Sequence, residues 1–169
     1  MELYISFFAV AISLVSAIVS IAIYFMGISR ERKQSTLDAF NVLQEQVFDK
    51  INQFTYGEIK EICNEWKAVI NDKRRYAELP EEEKIKADEI INKYRLLSGL
   101  LARIEHFALG VNTGIYDAKI AERAATAYFV ALYRGKLKPL IDTKHMREGG
   151  REYFAEFRKF VEQIEKLES

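Results

Sequence analysis

From Leu3 to Ile28 the chain carries no charge, and its only polar side chains are the hydroxyls of Tyr4, Ser6, Ser13, Ser16, Ser20 and Tyr24. About 20 apolar residues in a helix cross the hydrocarbon of a bilayer. Serine hydroxyls bond back to carbonyls of their own helix, so they do not oppose insertion. The pattern predicts a transmembrane helix with Tyr4 and Tyr24 near its ends, where amphipathic rings sit. A cleavable signal peptide wants a basic start and a shorter apolar core, whereas here Glu2 precedes a much longer run. Arg30, Arg32 and Lys33 follow the run with only Glu31 against them, which by the positive-inside rule puts the C-terminal side in the cytoplasm. Ser6, Ser13, Ser20 and Gly27 recur at seven-residue intervals. Such a seam of small residues lets helix backbones approach closely in lipid, and it is the face expected to meet a second copy or a partner in a membrane complex.

Past residue 30 the apolar positions recur at three and four, the period of an amphipathic helix. Leu37, Phe40, Leu43, Val47, Phe48, Ile51 and Phe54 predict a first helix over about 34–55, nearly continuous with the span. Gly57 marks a break, after which Ile59, Ile62, Cys63, Trp66, Val69 and Ile70 predict a second helix to about residue 76. Lys73, Arg74 and Arg75 then close one helix, and Pro80 with Glu81, Glu82 and Glu83 opens the next, each with the charge that its helix end favours. Ile85, Ile91, Tyr94, Leu97, Leu101, Ile104 and Ala108 trace the apolar face of that third helix, which ends at Gly110. Asp117 caps a fourth helix with an apolar side of Ile120, Ala124, Ala127, Tyr128 and Ala131. Gly135 and Pro139 break the chain, and a polar stretch leads through Gly149 and Gly150 to a last helix bearing Tyr153, Phe154, Phe157, Phe160, Val161, Ile164 and Leu167. The fold expected is all-α: a transmembrane anchor over residues 1–29, then a cytosolic bundle of about four to six helices over residues 30–169.

Composition narrows the function classes. In 169 residues there are only 2 Pro and 8 Gly, too few turn signals for a many-stranded sandwich or barrel. Lys+Arg and Asp+Glu balance at 25 each, so no excess of positive charge points to nucleic acid as a partner. Cys63 stands alone, which excludes an internal disulfide framework and a cysteine-based zinc site, and suits a reducing compartment.

Candidate chemistry is sparse. Neither His106 nor His145 has a Glu three residues before it, as helical di-metal sites require, and neither an HExxH motif nor a phosphate-cradling Gly loop is present. No metal or other cofactor is expected. Glu58-Ile59-Lys60 and Glu83-Lys84-Ile85-Lys86 echo the Glu-x-Lys of metal-dependent nucleases but lack a strand context. The sharper cluster is Arg103-Ile104-Glu105-His106, an Arg and a His one helical turn apart that could reach one phosphate. Helical ribonucleases of the HEPN class use a longer Arg-to-His spacing. Arg, Glu and His decorating the end of a packed helix explain the same residues.

The segment from Arg103 to Asp117, RIEHFALGVNTGIYD, resembles the central signature of a bacterial family of small single-span membrane proteins classified as a domain of unknown function. The matching residues are Ala108, Gly110, Val111, Gly114, Ile115, Tyr116 and Asp117, followed by Arg134 and by Tyr153 to Phe157. The resemblance implies an apolar span, a basic juncture and a helical domain, and brings no catalytic assignment. Gly110 and Gly114 are expected to serve a helix C-cap and a turn with positive φ. The function expected is a scaffold or interaction module anchored in the bacterial inner membrane, in contact with lipid and facing the cytoplasm. Two rivals stand beside it. One is a stress or phage-defence effector, a metal-independent ribonuclease or membrane-perturbing protein, with Arg103, Glu105 and His106 as its active cluster. The other is a subunit of a larger membrane complex.

Overall fold

A computed structural model describes residues 2–71, 78–147 and 153–168, with side chains at all of these but 2–12, 125, 126, 144–147, 167 and 168. Lys73 to Arg75, Gly149 and Gly150 lie outside the described residues, as do the side chains of Ser6, His145 and Leu167. Every regular element among the described residues is helical. Helix α1 runs from Glu2 to Leu43, passes through a π-helical turn over Gln44–Phe48 and continues as α2 over Asp49–Asn52. Helices α3 (Tyr56–Asn71), α4 (Glu81–Asn112), α5 (Ala118–Ala131), α6 (Lys138–Arg147) and α7 (Ala155–Glu168) complete the chain, with a second π turn over Leu132–Lys136.

The rod from α1 to α2 meets two kinds of surroundings. Between Leu14 and Ile28 its large apolar side chains stand clear of the bundle, at exposures from 42% to 66%. This is a helix long and apolar enough to cross a membrane. From Thr36 onward one stripe of the same helix is covered, with Leu43, Val47, Phe48 and Ile51 buried and Phe40 packed against them. Adjacent residues of an α-helix point about 100° apart. Val47 and Phe48, neighbours within the π turn, are both buried.

Around this rod α4 packs on α7 and α3, α5 packs on α1 and α7, and α6 closes over α3. The core centres on Phe129 of α5, fully buried, whose ring meets Phe48 at 5.6 Å, Phe107 at 5.8 Å, Phe157 at 5.9 Å and Phe160 at 5.3 Å. One side chain thus joins α5 to α4, to α7 and to the rod. Trp66 stacks on Tyr94 at 4.0 Å and ties α3 to α4. Arg134 forks onto the Glu165 carboxylate at 3.2 and 2.9 Å, fastening the second π turn to α7 and holding that carboxyl below its ordinary pKa.

Several expectations need correction. The break expected at Gly57 falls at Gln53–Thr55, and Gly57 lies inside α3. Thr55 and Glu58 start that helix as a reciprocal capping box: the Thr55 amide and hydroxyl donate to the Glu58 carboxylate, and the Glu58 amide donates back to the Thr55 hydroxyl. Those bonds hold the Glu58 pKa below its ordinary 4.5. Leu37 and Ile85 are exposed, whereas Thr36, Ala87 and Ile90 are buried. On α5 the buried side is Ala121 and Phe129, continued by Leu132 of the second π turn, while Ala124, Ala127 and Ala131 face outward. Alanines on several faces mark none of them, and the larger Phe129 decides which side turns in. Finally, the stretch after Pro139 is the helix α6 and buries Leu140, Ile141 and Thr143. Pro139 is accommodated because it stands in the first helical turn, where a backbone N–H has no partner to lose.

Phe129→Ala should lower the unfolding free energy of the detergent-solubilised chain by about 3–5 kcal/mol, the usual cost of deleting a buried Phe. Ile85→Ala should stay within about 0.5 kcal/mol, as exposed positions do. Thermal melts compare the two, and equal effects would contradict the assigned core.

Candidate functional site

The segment that carries the family resemblance joins α4 to α5, and α1 is docked against it. Helix α4 continues through Gly110 to Asn112, two residues further than expected. Gly110 is therefore helical, and its lack of a side chain serves close approach. The Tyr116 ring lies so near that a Cβ on Gly110 would meet Cδ2 and Cε2 at 2.5 Å. The ring also stacks on Phe107, at 5.4 Å between centroids, and the Tyr116 amide donates to the Gly110 carbonyl at 3.0 Å. Gly114 makes the turn itself, at φ 76°, where an L side chain is strained. Asp117 caps α5 as expected, its carboxylate accepting from the Ile120 amide at 3.2 Å.

A residue outside the expected set locks this loop to the rod. Thr36 is fully buried, and its hydroxyl donates to the Arg32 carbonyl and accepts from the Asp117 amide, each at 2.7 Å. Arg32 Nη1 donates to the Gly114 carbonyl at 3.4 Å. A signal for Thr36 exists in the sequence, since it shares the spacing of Phe40, Leu43 and Val47, a polar residue on an apolar stripe.

Arg103, Glu105 and His106 are split between two faces of α4. Arg103 and His106 line a groove of about 740 Å³ between α1 and α4, walled by Ala39, Val42, Leu43 and Phe107. Arg103 Nη1 also donates to Gln46 Oε1 of the first π turn at 2.6 Å. Glu105 points to α7, where its carboxylate accepts the backbone N–H groups of Glu156 at 3.0 Å and Phe157 at 2.7 Å. Asn112 adds bonds to the Glu156 carbonyl and carboxylate. Helix α7 is thus capped by side chains of α4, following Phe154 at the positive φ of 61°.

Among the described residues no three His, Cys, Asp or Glu side chains gather as metal ligands. Cys63 is buried, and burial pushes its thiol above the ordinary pKa, which makes it a packing residue rather than a ready nucleophile. The small residues of α1 lie on its uncovered part: Ser13, Ser20 and Gly27 are exposed, and a side chain at Gly27 would meet nothing of this chain.

Gly110→Ala should destabilise the chain by about 1–3 kcal/mol through overpacking against Tyr116, and Gly114→Ala by about 1 kcal/mol through its backbone. Adding Tyr116→Ala to Gly110→Ala should then cost less than the sum of the two single changes, because the clash is gone. Additive melting shifts would show that Gly110 and Tyr116 do not press on one another.

No curated protein and no solved structure matches the chain. A family model matches residues 7–164, from the apolar half of α1 through the loop to the end of α7's buried stripe. The chain therefore belongs to the family described as "Domain of unknown function (DUF4760)".

Proposed function

We propose that the protein is a membrane-anchored scaffold or interaction module, with its helical bundle held at the cytoplasmic face of a bacterial inner membrane. The observation that carries this reading is the unbroken passage of α1 from a part with no covering to a part buried in the core. A helix without a break transmits the orientation of its membrane half to whatever is packed on its other half. Arg30, Arg32 and Lys33, at the juncture, supply the bias that keeps the bundle inside. The full chain should pellet with membranes, resist carbonate extraction and support a C-terminal reporter active in the cytoplasm. Carbonate release would overturn the anchoring, and a reporter active only outside would overturn the orientation.

A second reading, an effector that cleaves RNA, is favoured by one observation, the shared groove of Arg103 and His106. In the scaffold reading, changing both to Ala shifts stability by less than about 1 kcal/mol and leaves any growth defect on overexpression in place. In the effector reading the double change abolishes growth arrest, since a phosphate-directed pair loses its positive clamp and its proton donor. Metal-independent RNA cleavage by the purified chain, lost in His106→Ala, would replace the first reading with the second.

A further inference from the structure

Beside the locked loop lies a second concavity, of about 590 Å³, walled by Ser29, Arg32 and Lys33 of α1, by Gly114, Tyr116 and Asp117 of the loop, and by Lys119, Ile120 and Arg123 of α5. Four basic side chains line it from two helices: the neighbours Arg32 and Lys33 of α1, and Lys119 and Arg123 of α5, which are four residues apart and share one helical face. The one acidic residue in the wall is Asp117, whose carboxylate caps α5 and offsets only one of the four positive charges. Among the described residues Lys33, Lys119 and Arg123 are in no ion pair. All four basic side chains are exposed. Lys119 also stands in the first turn of α5, where unpaired backbone N–H groups already make positive potential. Cations gathered in excess of counter-charge repel one another, and an anion between them removes that cost.

Position along α1 identifies the anion. Ser29 follows Ile28, the last residue of the charge-free run. Lys33, on the cleft wall, lies about 7.5 Å beyond that run at 1.5 Å per residue. The headgroup layer on each side of the hydrocarbon is about 5–8 Å deep. With α1 in a membrane, the cleft opens at the depth of the lipid phosphates. We propose that this cleft binds the phosphate headgroup of an anionic membrane lipid, held between Arg32 and Lys33 on one side and Lys119 and Arg123 on the other. The proposal rests on the membrane-anchored reading above. It deepens that reading, because a lipid wedged between α1 and α5 ties the bundle to the membrane surface at a second point.

Lys119→Gln with Arg123→Gln tests it, leaving untouched the α1 residues that set topology. Full-length protein is reconstituted in vesicles of phosphatidylcholine alone or mixed with phosphatidylglycerol, floated after carbonate treatment, then extracted in mild detergent for native mass spectrometry of retained lipid. Wild type should float with both vesicles and retain phosphatidylglycerol in preference to phosphatidylcholine. The double variant should float equally well and lose that preference by about thirtyfold, since each basic side chain near an anionic leaflet contributes roughly fivefold. Lys50→Gln with Lys60→Gln, away from the cleft, should leave it intact. Equal retention by wild type and the cleft variant, or equal loss in the distal variant, would overturn the site. Displacement of the lipid by millimolar inorganic phosphate would show a soluble anion to be the ligand and overturn the lipid assignment. Failure to float with either vesicle would instead sink the membrane reading itself.

Discussion

The structure hangs on one constraint: α1 does not stop between the part that no other element covers and the part that forms the core. An uninterrupted helix satisfies its backbone groups internally, which is what a bilayer demands of any segment crossing it. Carried into the bundle, the same regularity offers a stripe from Thr36 to Ile51 on which α4 and α5 are laid. The geometry at the juncture follows. Thr36, one turn past the basic residues, spends both hydrogen-bonding roles of its hydroxyl on holding Arg32's carbonyl and Asp117's amide. A buried hydroxyl bonded on both sides fixes the register of rod and loop, because leaving either partner unpaired costs about 1–3 kcal/mol. The α4–α5 loop is thereby held beside the first turns beyond the apolar run.

A second consequence concerns how the bundle closes. Phe129 reaches the rod, α4 and α7 at once, so α5 acts as the keystone although six of its 14 residues are alanine. Glu105 and Asn112 then hold the start of α7 from α4, which replaces a local cap with a tertiary one. Helix α7 accordingly owes its position to the packing of α4 more than to the sequence just before it.

Much of this was legible in the sequence where the signal is local. The all-α class, the rod, the start of α4 at Pro80 and Glu81, the Asp117 cap and the stripe of α7 from Phe157 to Ile164 all follow from periodicity and capping chemistry, whereas Tyr153 and Phe154, expected on the last helix, stand in the turn before it. What escaped depends on contacts distant in sequence. The buried face of α5 could not be read from alanines, and α6 was hidden by a proline that a first helical turn tolerates. Gly110 looked like a C-cap, whereas its small size answers to Tyr116, six residues away but across the turn. For the candidate site, helix geometry alone separates Glu105 from Arg103 and His106: three residues apart share a face and two do not. That Glu105 caps α7 needed the fold, since nothing in RIEHF names a partner more than fifty residues on.

The central claim is that α1 is one rigid element from its apolar half into the core, so that the bundle has a single orientation relative to that half. Pulsed electron–electron spin resonance between labels at Ile23 and Lys159, both exposed, measures this in the full chain reconstituted in lipid bilayers. The account predicts a single narrow distance distribution. A broad or two-component distribution would show a joint between the apolar half of α1 and the bundle, and would contradict it.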